Sequence, residues 1–273
     1  MTTILDKFRL DGKVAVVTGG AGLLGKQFCL TLAQAGAHVL VADLNGKVAE
    51  DTASAIAASG YSAVPVQVDV TDRESTRAMA DAAVRQFGRL DVLVCSAAMD
   101  PKFDPQNQGF HGNRFEDYPL DAWRQAVDVN LTGMFLSSQA VAPAMLDQGQ
   151  GVIITICSTY GLAGPDQRIY HKPGQPPQYK PAYYSVTKAG VLGFTRYLAA
   201  YYAGKNIRVN ALTPGGVYNN HDEVFTEAYS ARTIMGRMAH LDEMNGGLLF
   251  LASDASSYMT GSNLVVDGGW TAW

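Results

Sequence analysis

Residues 13–35 constrain the fold most. A short β-branched apolar run, KVAVVT at 13–18, enters a turn made of Gly19, Gly20, Ala21, Gly22, Leu23, Leu24 and Gly25, and a helical pattern then continues to Ala35. Strand, glycine turn and helix in that order give meaning to the spacing of Gly20, Gly22 and Gly25. Glycines let a backbone turn tightly and come close to a pyrophosphate, whose charge is met by the helix N-terminus. A fortuitous glycine-rich turn is the competing reading, and the flanking elements weigh against it.

The rest of the chain repeats the alternation. Residues 38–44 (HVLVADL) read as a second buried strand with Asp43 at its C-terminal end, roughly 20 residues past the glycines, where a carboxylate accepts the ribose hydroxyls of NAD and repels a 2′-phosphate. The competing use of Asp43 is to cap the helix that follows Asn45. A helix over 47–58 leads to a strand over 63–70 that ends in Asp69, Val70, Thr71 and Asp72, and Thr71 or Asp72 caps a helix reaching Phe87. The strand at 91–94 ends in Cys95, Ser96, Ala97 and Ala98, small residues against which a flat group can lie. A helix over 120–145 carries Asn130 in DVNLTG, where a mid-helix amide marks either a use or a kink. The strand at 152–156 delivers Cys157, Ser158, Thr159 and Tyr160, and the strand at 207–212 leads to Thr213, Pro214 and Gly215. Residues 217–238 read as mobile, followed by a helix near 244–252 and a last strand over 263–266. Seven strands alternating with helices predict the α/β class: a Rossmann-type, doubly wound, seven-stranded parallel sheet with helices on both faces, and residues 1–273 as a single domain.

The chemistry concentrates at YSVTK, Tyr184 to Lys188, in a helical pattern over 182–203. Residues i and i+4 share a helix face, so the spacing sets a phenol beside an ammonium. Such a cation favours phenolate and moves a tyrosine toward acid–base work near neutral pH. Ring and aliphatic stem packing is the plainer use of such a pair, and it is outweighed by the other stretches.

Two stretches, 99–118 and 164–181, interrupt the periodicity. The first contains Pro101, Pro105, Gly109 and Gly112; the second holds five of the 11 prolines and is expected not to be helical. Together they carry Lys102, His111, Arg114, Arg168, His171, Lys172 and Lys180, with Phe103, Phe110, Phe115, Tyr170 and Tyr179 interleaved. Both follow strands at the C-terminal edge of the sheet, so both are expected to overhang the reacting end of the cleft. Arg114, Arg168 and His171 are the expected substrate contacts, which favours a polyhydroxylated or anionic, sugar-like small molecule.

The glycine turn, Asp43, Asn130, Ser158, YSVTK and the Pro214–Gly215 turn stand in the order and approximate spacing of the short-chain dehydrogenase/reductase family, which the chain resembles over nearly its whole length. The resemblance implies Tyr184 as general acid/base, Ser158 as hydrogen-bond partner of the substrate oxygen, and Lys188 as ribose ligand that lowers the tyrosine pKa. Asn130 would hold a water in a proton relay. It implies NAD bound by Gly19, Gly22, Leu23, Leu24, Gly25, Asp43, Leu44, Asp69, Val70, Ser96, Ala97, Ala98, Tyr184, Lys188, Pro214, Gly215 and Val217. Cys95 to Ala98 replaces the family's NNAG, so the amides that brace the sheet there are missing. Leu23 gives a TGxxGxxG turn like that of the longer nucleotide-sugar-modifying members, and Asn219 replaces a cofactor-touching threonine.

The expected activity is NAD-dependent interconversion of a secondary alcohol and a ketone. Two other functions fit parts of the pattern: a nucleotide-sugar epimerase or dehydratase that retains its NAD, and a non-catalytic NAD-binding protein. A formal net charge of −4 argues against nucleic-acid or anionic-membrane partners. The three cysteines, Cys29, Cys95 and Cys157, lack metal-site spacing, so no metal is expected. A cytoplasmic protein is expected, because charges interrupt the only apolar patch near the N-terminus. Helices 120–145 and 182–203 look too apolar around their circumference for a monomer's surface, and the resemblance implies a homodimer or homotetramer built on them.

Overall fold

The computed structural model describes residues 3–100, 113–172 and 174–273. The strands β1 (Val14–Thr18), β2 (His38–Asp43), β3 (Ala63–Gln67), β4 (Val92–Cys95), β5 (Gly151–Ile156), β6 (Ile207–Pro214) and β7 (Asn263–Val266) form one seven-stranded sheet in the order β3-β2-β1-β4-β5-β6-β7. Every pairing is parallel. The chain therefore returns to the opposite edge of the sheet after each strand, and helices make the crossings.

Strand residues alternate between two cores. Val14, Val16, Leu40, Leu93, Ile153 and Val209 face one cluster, with Met79 of α3 (Arg73–Phe87), Val141 of α5 (Gly133–Asp147) and Val191 of α6 (Ala182–Tyr201). Ala15, Val17, Val39, Val41, Val94 and Ile154 face the other, with Phe28 of α1 (Leu23–Gln34), Ile56 of α2 (Gly46–Ala58) and Leu248 of α8 (Asn245–Ala252). The period of two along each strand serves both faces at once, which is why these strands read as unbroken apolar runs.

Four expectations change. The strand expected over 63–70 stops at Gln67, and Asp69 instead folds a turn in which its Oδ1 accepts from the Thr71 amide at 2.9 Å. The helix expected over 120–145 is α4 (Leu120–Val127), a π-helical turn at Asp128–Thr132, and α5. The second insertion contains a 3₁₀ turn, Gln167–Tyr170, capped by Asp166, whose carboxylate accepts from the Arg168 amide at 3.0 Å; it falls between the prolines rather than on them. The stretch 217–238, read as mobile, holds α7 (Glu223–Ser230), capped by Asp222, which accepts from the Phe225 amide at 3.1 Å. Its signal is short, and the buried Tyr229 is what anchors it.

Opposite the edge that carries the functional residues, Asp91 fastens the sheet. Its carboxylate is 5% exposed, accepts from the Val14 amide at 2.9 Å, and takes the Arg89 guanidinium through two bonds of 2.7 and 2.6 Å. Asp91→Ala strands a buried strand amide and a guanidinium together. It should cost about 2–4 kcal/mol, read as a lower urea midpoint with an unchanged slope; an unmoved midpoint would show the fastening is unimportant.

Candidate active site

A cavity of about 690 Å³ opens along the C-terminal edge of the sheet where the strand order reverses between β1 and β4. All the residues named above as cofactor-binding line it, together with Ser158, Asn219 and His221. This is where open α/β sheets take ligands.

One end is built by the glycine turn. Gly19 has φ +65°, and a Cβ there would stand 2.7 Å from the Ala97 Cα, so only glycine lets the turn lie against the end of β4. Gly25 lies against the Gly19 carbonyl, where a side chain would collide with the turn backbone. No side chain caps α1, whose N-cap is Gly22, so its first amides are left for an anion. Asp43 accepts from the Ala21 amide at 3.1 Å and the Asn45 amide at 3.1 Å. Asn45, not Asp43, caps α2, accepting from Val48 at 3.2 Å, which leaves the Asp43 carboxylate to the cavity. Where the family has bracing amides, the Thr18 hydroxyl donates to the Val94 carbonyl and accepts from the Ala97 amide, both at 3.4 Å. An uncapped helix start, a close glycine backbone and a carboxylate beyond them fit a dinucleotide.

At the other end Ser158, Tyr184 and Lys188 meet. Ser158 leaves β5 in an extended conformation, its Oγ accepting from the Tyr160 amide at 3.2 Å, and it lines the cavity with Tyr184. The Lys188 ammonium donates to the Ile156 carbonyl at 2.9 Å and stands 5.8 Å from the centroid of the Tyr184 ring. Burial pushes the Tyr184 phenol up, with the Asp100 carboxylate adding to the rise and the neighbouring Ser158 hydroxyl opposing it. Burial pushes Lys188 down. The expectation that Lys188 lowers the phenol is therefore not met in this state: desolvation outweighs an ammonium turned toward a carbonyl.

Asn130 sits in the π-helical turn, 4% exposed, and does not line the cavity. Its Oδ1 accepts from the Met99 amide at 2.7 Å, and its Nδ2 donates to the Met99 carbonyl at 3.3 Å and the Thr187 hydroxyl at 3.1 Å. Use and distortion thus occur together: the amide ties the exit of β4 to the residue before Lys188. Single π-helical turns of this kind recur at functional sites.

The expected substrate contacts do not reach the cavity. Arg114 pairs with Glu116 at 3.6 Å and Asp117 at 3.9 Å. Arg168, with a side chain 78% exposed, forks onto Asp166 at 2.8 and 2.6 Å. His171 is exposed and packs edge-on to Tyr179. Each arginine is neutralised by acids a few residues away, which a count of basic residues does not register. Lys102, Phe103, Phe110 and His111 lie outside the described residues. The side chains that do line this end are Asp100, Lys180, His221, Tyr160, Phe225, Tyr229 and Met238. Tyr229 stacks on Trp270 at 4.3 Å and its oxygen accepts from the Gly216 amide at 2.5 Å; burial pushes its phenol up to about 12. His221 stacks on Phe225 at 5.0 Å, and burial pushes its imidazole down. Lys180 stands four residues before Tyr184, a spacing that mirrors the lysine four residues after it and is visible in the sequence.

Comparison with known proteins adds the family. Residues 20–271 match the enoyl-(acyl carrier protein) reductase model of the short-chain type. The D-threitol dehydrogenase of Mycolicibacterium smegmatis is 34% identical over 97% of this chain and 95% of its own length. The cis-4-hydroxycyclohexanecarboxylate dehydrogenase of Sinomonas cyclohexanicum is 35% identical over 95% of this chain and 97% of its own. A crystal structure of a gluconate 5-dehydrogenase from Burkholderia cenocepacia, in complex with NADP and tartrate, superposes with a TM-score of 0.85 at 31% identity, covering 99% of this chain and 100% of that one. The chain belongs to the short-chain dehydrogenase/reductase family of nicotinamide-dependent oxidoreductases.

Proposed function

We propose that the protein is an NAD-dependent oxidoreductase that interconverts a secondary alcohol and a ketone on a polyhydroxylated or anionic, sugar-like substrate. The observation that carries this reading is the convergence of Ser158, Tyr184 and Lys188 in one cavity, with the Lys188 ammonium 5.8 Å from the centroid of the Tyr184 ring. The dehydrogenase names of the relatives, on threitol, a hydroxycyclohexanecarboxylate and gluconate, support the substrate class.

Bound nicotinamide supplies the hydride acceptor in oxidation and the donor in reduction. Ser158 and Tyr184 present two hydroxyls to one substrate oxygen. In reduction Tyr184 gives its proton to that oxygen; in oxidation its phenolate removes the hydroxyl proton. Lys188 would hold the nicotinamide ribose and carries the positive charge that makes the phenolate tolerable. Holding the reacting groups together supplies roughly 7–11 kcal/mol of the barrier in well-oriented systems. Asn130 acts as a positioning residue, through Met99 and Thr187.

NAD over NADP rests on Asp43. Its carboxylate faces the cavity, and among the described lining residues the lysines, Lys180 and Lys188, lie at the opposite end. The NADP bound to the Burkholderia relative belongs to that protein. Assembly as a homodimer or homotetramer is supported by Phe135, Val186, Tyr197 and Tyr201 on α5 and α6, all exposed. A cytoplasmic setting suits the free, buried cysteines, and no helix among the described residues is long and apolar enough to cross a membrane.

Tyr184→Phe keeps the ring and removes the proton. The kcat should fall by about 10²–10⁴ while NAD affinity stays within about twofold, measured by initial rates and fluorescence titration; retention of most activity rejects the mechanism. Asp43→Ala should cut the preference for NAD over NADP by at least about tenfold, since a carboxylate a few ångströms from a 2′-phosphate repels it by kcal/mol amounts. A wild type that already prefers NADP contradicts the role given to Asp43.

A further inference from the structure

Lys180 belongs to neither the glycine turn nor the family's catalytic set, yet it sits over the reacting phenol. Its ammonium lies 4.0 Å from the centroid of the Tyr184 ring, closer than Lys188, and its side chain is only 9% exposed. Its backbone is held at two points: the Lys180 amide donates to Gln167 Oε1 at 2.8 Å, and Gln167 Nε2 donates to the Lys180 carbonyl at 3.0 Å. Pro181 then starts α6, so Lys180 and Tyr184 are fixed by the same helix start. The ammonium donates to Asp100 Oδ1 at 2.5 Å. That partner is 64% exposed, and both residues line the cavity.

A buried ammonium needs an anion, and removing that anion strands a charge. The exposed member of this pair is the carboxylate, and it meets the lysine on the cavity side. A second carboxylate arriving through the cavity can replace Asp100 with no loss of charge pairing, whereas a neutral polyol cannot. We propose that Lys180 is the anchor for a carboxylate on the substrate, and that the Asp100 side chain holds the place this carboxylate takes. The proposal deepens the secondary-alcohol reading above and rests on it. It narrows the substrate class to hydroxy acids, and it moves the anion contact from the outer arginines to a lysine that also touches the ring of the acid–base residue.

The test compares matched pairs that differ in the carboxylate: gluconate with glucitol, and cis-4-hydroxycyclohexanecarboxylate with cis-4-methylcyclohexanol. The readout is the ratio of kcat/KM for acid over neutral partner, in which any change to Tyr184 itself cancels. The wild type should favour the acid in at least one pair by more than tenfold, about 1.4 kcal/mol. Lys180→Met should lower that ratio at least tenfold, Lys180→Arg should recover part of it, and Asp100→Asn should keep or raise it. An unmoved ratio in Lys180→Met, a wild-type preference for the neutral member of both pairs, or an equal loss in Asp100→Asn overturns the proposal. Calorimetry on NAD-saturated wild type separates the two readings. Acids bound no tighter than their neutral partners overturn the Lys180 anchor whatever the turnover. Tight, Lys180-dependent acid binding without NADH formation from any alcohol supports the anchor and contradicts the oxidoreductase reading beneath it.

Discussion

The reversal of strand order beside β1 is the constraint on which the rest depends. Because β1 pairs with β2 on one side and β4 on the other, the connections after β1 and β4 leave in opposite directions and a crevice opens between them. All strands being parallel, their C-terminal ends share that edge. Gly19 follows β1, Asp43 ends β2, Ser96 follows β4, Ser158 follows β5 and Gly215 follows β6. Sites far apart in sequence thus become one lining without any loop having to travel. At the reacting end Ser158, Lys180 and Lys188 are buried and Tyr184 partly so, which keeps much of the water away from them.

That exclusion has an electrostatic consequence. A phenol buried beside Ser158 resists ionisation, and the same burial weakens the hold of Lys188 on its proton. The site brings two ammoniums toward one ring, from four residues before and four residues after Tyr184, and sets Asp100 against the first. Asp100 offsets the charge of Lys180, and burial together with that carboxylate keeps the phenol protonated. On the proposed mechanism, oxidation of an alcohol depends on rearranging charges that are already present.

Much of this was legible in the sequence, for identifiable reasons. Strands buried on both faces produce unbroken apolar runs, and the Gly20, Gly22, Gly25 spacing with Asp43 beyond it is set by backbone geometry that few other residues satisfy. YSVTK was legible because a helix repeats its face every four residues. The π-helical turn was not, since Asn130 is stabilised by Met99 and Thr187, contacts remote in sequence. The pairing of the arginines was not legible either, because Asp166 and Glu116 reach them through loop turns that no periodic pattern announces. Short α7 depends on the packing of Tyr229 against Trp270, which no local pattern announces.

On the proposed mechanism Tyr184 moves the proton, and its phenol is held protonated by burial until the occupied site brings it down. The most direct test is the pH dependence of the hydride-transfer step in a single turnover with saturating NAD and an oxidisable secondary alcohol. With a raised phenol pKa, the base is scarce at low pH and accumulates as pH rises. The oxidation rate should therefore climb from neutrality into the alkaline range and level off, and Tyr184→Phe should abolish the climb. A rate independent of pH across that range, or the same climb in the Tyr184→Phe protein, would contradict the role of Tyr184 as the proton carrier.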